Sequence, residues 1–281
     1  MDRIRKALDL ARQERDRDFD TESTVRLVEP EARPVPTSEA RPAPSSPTRI
    51  VYTNTRIFTP DARALESQRV VNPTGNDAVA AAFRMLRTQV IQRMDENGWR
   101  SIAVLSPGSH DGKTTTAINL AVSLANDRQH TVLLVDCDLR RPTVGSRLGI
   151  TPEFGMDDLL DGDARVDQCL YHPEGYDRLV VLPARETLAN SSDALAGPRG
   201  RKLVAELRDR YPDRIIVFDL PPVLGTDDAL AFLPSVECGL VVIAEGATRR
   251  DDLLRCMELL RKTPILGTVL NKATDVNSGY G

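Results

Sequence analysis

Six short aliphatic runs, unbroken by charge, constrain this chain most. They are "SIAVL" (101–105), "TVLLV" (131–135), "RLVVL" (178–182), "RIIVF" (214–218), "GLVVI" (239–243) and "ILGTVL" (265–270). Helical patterns lie among them at 114–126, 198–210 and 247–262. A strand that is apolar at every position must be covered on both faces, and helices between such strands supply the cover. Ahead of the first run, "NDAVAAAFRMLRTQVIQRM" predicts a helix capped by Asn76 or Asp77, with Val79, Phe83, Leu86, Val90 and Met94 on one stripe. The expected fold is α/β: a mostly parallel sheet with helices on both faces. In such sheets ligands bind beyond the carboxyl ends of the strands.

The rest of the chain bounds this reading. Only 4% of its 281 residues are aromatic, which suits an aliphatic parallel sheet. A formal net charge of −4 gives no sign of nucleic-acid binding. Cys137, Cys169, Cys238 and Cys256 form no C-x-x-C pair and offer no zinc site, and they are expected to be small buried hydrophobes in a reducing compartment. No apolar run nears the ~20 residues that span a bilayer, and the first residues lack a signal-peptide core. The expected location is cytoplasmic. Residues 1–20 contain a thin helical stripe of Ile4, Leu8 and Ala11, read either as a solvated helix or as a docking helix. Residues 21–75 read as a flexible linker, with six prolines in the 18 residues 30–47 and a possible short strand at "IVYTN". The catalytic domain is expected at 76–273, after a disordered N-terminal region, with a tail at 274–281.

The chemistry begins at "SPGSHDGKTTT" (106–116), between a strand and a helix. That order suits a phosphate loop, in which backbone N–H groups and a helix N-terminus surround phosphate oxygens. Gly108 eases the turn, Gly112 permits close approach, and Asp111 lies in the loop. Lys113 would bridge the outer phosphates, Thr114 would hold Mg²⁺, and Thr115 would meet an inner phosphate. Pro107, where the strict pattern wants glycine, costs one N–H at the start of the loop.

Carboxylates follow two further strands. In "VLLVDCDLRRP" (132–142), Asp136 and Asp138 are two apart, so an extended chain points both the same way. Carboxylates facing a triphosphate need a cation between them, which Mg²⁺ supplies. One would hold the metal or its waters and the other would take a proton from an attacking hydroxyl. Asp219 ends the strand in "RIIVFDLPPVLGTDD" (214–228) and is a candidate to hold a metal-bound water. Asn271, in "VLNKATD" (269–275), is a candidate for the adenine edge. Thr274 stands where the guanine-reading N-K-x-D pattern has its Asp, which favours ATP.

Together these motifs resemble the bacterial tyrosine kinases that control capsule and exopolysaccharide production. The resemblance spans about residues 76–273 and rests on "SPGSHDGKTTTAINLA", "LLVDCDLRRP", "NSSDALAGPRGRKLVAELRDRYPDRIIVFDLPP", "GATRRDDLLRCMELL" and "GTVLNKA". It implies a P-loop ATPase fold of the ParA/MinD-like kind and an ATP–Mg²⁺-dependent tyrosine autokinase. Lys113 and Thr114 would act on phosphates and metal, Asp136 or Asp138 would be the base, and Asp219 would support Mg²⁺. The short helix and Pro-rich linker are similar to the stand-alone, exosortase-associated form. That form implies a membrane co-polymerase that sets chain length, recruitment to the inner face of the cytoplasmic membrane, a homo-oligomeric ring and a cognate tyrosine phosphatase. Arg84 and Arg87 match two of three positions in the family's ring-forming Glu-x-x-Arg-x-x-Arg, with Ala81 in the Glu place. His110 stands where glycine is usual and is expected to point to solvent. The tail "DVNSGYG" offers Tyr280 alone as phosphoacceptor.

Two other functions fit parts of the pattern. A ParA/MinD-like regulatory ATPase usually has an extra lysine early in its loop, where this chain has Gly108. An ATP-binding interaction protein without phosphate transfer would fit the single Tyr280 and Ala81.

Overall fold

The computed structural model describes residues 55–72, 74–210 and 213–273, all within the compact unit Ser45–Gly281. The expected N-terminal helix, the proline-rich part of the linker, the "IVYTN" strand and Tyr280 lie outside the described residues. In chain order come β1 (Arg56–Phe58), α1 (Ala62–Ser67), α2 (Ala78–Asn97), β2 (Ser101–Leu105), α3 (Lys113–Ala125) and β3 (Thr131–Asp136). Then follow α4 (Val144–Leu148), α5 (Met156–Asp161), a 3-10 turn (Val166–Gln168), β4 (Tyr171–Pro173), β5 (Leu179–Leu182), α6 (Ser191–Ala196) and α7 (Pro198–Asp209). The chain continues through β6 (Arg214–Asp219), α8 (Asp228–Phe232), a 3-10 turn (Leu233–Ser235), β7 (Cys238–Ala244), α9 (Arg250–Leu259) and β8 (Ile265–Asn271).

The strands form one eight-stranded sheet in the order β1-β4-β5-β3-β6-β2-β7-β8. Every neighbouring pair is parallel except β4 with β5. Strand alternation divides the core into two layers. Ile102, Val104, Val132 and Leu134 pack with Val90 and Met94 of α2 and with Ile118 and Leu120 of α3. Ala103, Leu105, Leu133 and Val135 face the other way, with Leu203 and Leu207 of α7 and Phe218, whose ring meets Phe232 edge-on at 5.0 Å. All four cysteines are buried and unpaired. Burial pushes the thiols of Cys169 and Cys238 up to about 12 and that of Cys256 to about 11, so they act as packing groups.

The α2 helix begins as its sequence predicts. Asp77 caps it through a 2.9 Å bond from the Ala80 N–H, and Gly98 ends it in the left-handed conformation, φ 68°. Its apolar stripe is shorter than expected: Val90 and Met94 are buried, Phe83 and Leu86 pack against the core, and Val79 is 55% exposed.

The boundary at residue 76 needs correction. Residues 56–71, expected as linker, contribute an edge strand and a helix to this unit. β1 pairs in parallel with β4, Arg56 opposite Tyr171, and Leu65 of α1 is buried. The clamp is Asn119, a buried side chain of α3. Its Oδ1 accepts from the Val71 N–H at 2.9 Å, and its Nδ2 donates to the Arg69 carbonyl at 2.9 Å. One side chain thereby satisfies two backbone groups that water reaches poorly. Asn119→Ala leaves both without a partner and is expected to lower the unfolding free energy by about 2 kcal/mol. Urea titration measures that loss, and limited proteolysis should cut within 55–75 faster than in the parent chain.

Candidate active site

Strand order brings the motifs together. β6 lies between β3 and β2, so the carboxyl ends of these three strands are side by side. Asp136 is in register with Asp219, and Asp219 with Val104, one residue before the end of β2. The loop 106–112 leaves β2 at this edge and enters α3 at Lys113.

Gly112 enters the helix with φ 92°, a conformation that favours glycine. A Cβ there would stand 1.8 Å from Nδ2 of Asn271, so contact and backbone both require Gly112. The first turn of α3 has no side-chain cap, which leaves its N–H groups for an anion. Pro107 fits the start of the loop: its carbonyl accepts from the Leu224 N–H at 3.2 Å, and that of Ser106 from Val223 at 2.9 Å.

Lys113 is buried and folds onto Asp219, with Nζ 2.6 Å from Oδ1. The Thr114 hydroxyl donates to the other oxygen of Asp219 at 2.7 Å. Asp138 Oδ2 lies 3.7 Å from the same Nζ. Lysine, hydroxyl and two carboxylates thus meet at one point.

Asp136 and Asp138 differ more than their spacing suggested, because β3 ends at Asp136 and strand alternation stops there. Asp136 is fully buried, and its Oδ2 accepts from the N–H groups of Thr143 and Val144 at 3.0 and 2.9 Å. Burial first, then the charge of Asp219, push its carboxyl up to about 8. Asp138 is more open and is also raised, by burial and by Asp219 against the lowering effect of Lys113. Of the two, Asp138 is the one free to meet a substrate.

One lysine does not balance three carboxylates, so the donor set fits a divalent cation. Among the described residues no three acidic, His or Cys side chains are arranged to hold a metal alone. Magnesium characteristically keeps water and takes phosphate oxygens with one or two carboxylates.

The far side of the sheet braces the loop. Asp111, a candidate nucleotide contact, turns its carboxylate inward: Oδ2 accepts from the Gly108 N–H at 2.9 Å and Oδ1 from Thr248 Oγ1 at 2.8 Å. Asn271, expected at the adenine edge, donates from Nδ2 to the Asp111 carbonyl at 2.9 Å. Lys272 Nζ donates to the His110 carbonyl at 2.7 Å. His110 is exposed, as expected, and has φ 69°, which explains why glycine suits its position. Arg84 and Arg87 bond within the chain, to the Gly75 carbonyl at 2.6 Å and the Ser123 carbonyl at 3.4 Å.

Three contacts escaped the sequence reading. Thr248 lies in the quoted "GATRRDDLL", but nothing local marks its bond to Asp111. Arg140 holds the fully buried Asp228 with two bonds, 2.7 and 3.2 Å, and Ser191 Oγ joins that carboxylate at 3.0 Å. Arg147 of α4 donates to Thr115 Oγ1 at 3.0 Å. Beside the loop, a cavity of about 1270 Å³ opens between α2 and the end of β8, lined by Phe83, Leu86, Thr115 and Asn271 among others.

Known proteins are similar to this chain. The AAA domain family model matches residues 100–247. The chain is 28% identical over 202 residues to tyrosine-protein kinase YwqD of Bacillus subtilis strain 168, covering 71% of this chain and 84% of that one. It is 30% identical over 221 residues to the succinoglycan biosynthesis transport protein ExoP of Rhizobium meliloti strain 1021, covering 74% of this chain and 27% of that longer protein. The solved VpsO kinase domain superposes with a TM-score of 0.62 at 30% identity, over 69% of this chain and 95% of that one. The chain therefore belongs to the AAA-domain family of P-loop proteins and, within it, to the bacterial tyrosine-protein kinases.

Proposed function

We propose that this chain is an ATP-dependent tyrosine autokinase that regulates exopolysaccharide synthesis and export together with a membrane co-polymerase. The observation that carries the reading is the meeting of Lys113, Thr114 and Asp138 at Asp219, at the mouth of an uncapped helix. The exopolysaccharide role draws on the likeness to a succinoglycan transport protein. Among the described residues no helix is long and apolar enough to cross a membrane. In this reading the chain works in the cytoplasm and reaches the inner membrane face through its partner.

Each residue then has a task. N–H groups of the loop and of the first turn of α3 hold the phosphates. Lys113 turns from Asp219 to the outer phosphates, and Thr115 meets an inner one. Thr114, with Asp136 and Asp219, would hold magnesium, which neutralises charge that builds on the phosphates. The base enters the cavity beside Gly112 and Thr115. Asp138 accepts the proton of a tyrosine hydroxyl as its oxygen bonds to the γ-phosphorus. The bond from that phosphorus to the bridging oxygen breaks, and ADP leaves. The acceptor is Tyr280 of a neighbouring subunit in a homo-oligomer, with Arg84 and Arg87 at the contact, and a cognate phosphatase resets it.

Incubation of the purified chain with Mg²⁺ and ATP, followed by mass spectrometry, is expected to locate phosphotyrosine at Tyr280. The label should vanish in Tyr280→Phe and in Lys113→Met. Hydrolysis of ATP with no phosphotyrosine, even with the membrane partner added, contradicts the kinase reading and leaves a regulatory ATPase.

A kinetic comparison tests the base. Asp138→Asn is expected to lower kcat about 100-fold or more while ATP affinity changes by less than about 3-fold.

A further inference from the structure

Arg147 has no place in the mechanism above, yet it points at the loop. It extends from α4 and donates from Nη1 to Thr115 Oγ1 at 3.0 Å. Two anchors fix α4. Its first N–H, that of Val144, bonds the buried Asp136, and Gly149 closes its other end with φ 76°. The guanidinium is thus held, half-buried, against the first turn of α3.

A cation is badly suited to that position. The N-terminal end of a helix carries partial positive charge and repels it. A guanidinium stays charged at any pH a protein meets and has five donors to satisfy. Among the described residues Arg147 forms no ion pair, and its hydrogen bond goes to a neutral hydroxyl. An anion beside Thr115 would resolve both conflicts.

We propose that Arg147 is a nucleotide-binding residue, pairing with an inner phosphate beside Thr115. It extends the phosphate site from the loop to α4, and through Val144 and Asp136 it links phosphate binding to the metal-side carboxylates. This rests on the phosphate-loop reading of 106–116.

Calorimetric titration of the full chain with Mg-ADP tests it. Arg147→Ala is expected to weaken Mg-ADP binding about 10-fold or more, with the melting temperature of the nucleotide-free protein little changed. Arg147→Lys, which keeps the charge, should recover part of the loss. Binding by Arg147→Ala within about 2-fold of the parent overturns the inference. Should that variant not fold, Arg147→Gln keeps a donor for Thr115 without the charge. The same loss is then expected, and parent-like binding overturns the inference. If the parent chain itself fails to bind Mg-ADP, the phosphate-loop reading falls and this inference with it.

Discussion

The ion pair between Lys113 and Asp219 is the interaction on which the site depends. Both groups are buried, and Asp219 is wholly removed from solvent. Taking two charges out of water costs several kcal/mol per ion, and only close contact with further hydrogen bonds offsets it. Here the contact is 2.6 Å, and the hydroxyl of Thr114 serves the second carboxylate oxygen. The pair joins the start of α3 to the end of β6, so loop and sheet are fixed together. Burial first, and then the charge of Asp219, raise the carboxyls of Asp136 and Asp138 beside this pair, against the lowering effect of Lys113. A divalent cation at this point would offset the charge of the carboxylates.

The second constraint lies in what braces the loop. Thr248, Asn271 and Lys272 come from the β7–α9 turn and the end of β8, at least 137 residues from their partners in the loop. The loop's shape therefore depends on the last strand of the sheet. In the proposed reaction, the residues that carry the acceptor tyrosine follow that strand directly.

Much of this was legible in the sequence, for definite reasons. All six aliphatic runs are strands because only a doubly covered sheet accommodates them. Lys113 and Asp219 could be picked out as neighbours because one opens the helix after β2 and the other ends β6, and these strands lie side by side. The failures have physical causes too. β1 and β4 have three residues each, too few to show a period, and β4 ends in proline. Asp136 and Asp138 were expected to point the same way, but the strand ends at Asp136 and its alternation stops there. The bonds of Asn271 and Thr248 to Asp111 join residues far apart in the chain, so no local pattern marks them. The pairs Arg140–Asp228 and Arg147–Thr115 are 88 and 32 residues apart, and no local pattern announces them.

The buried carboxylates around Lys113 would serve to receive a divalent cation together with its nucleotide. The most direct measurement is ADP affinity of the full chain with magnesium and with magnesium removed by chelator. Affinity is expected to fall about 10-fold or more without the metal, and Asp219→Asn is expected to remove most of that dependence. Equal affinity with and without magnesium would contradict it.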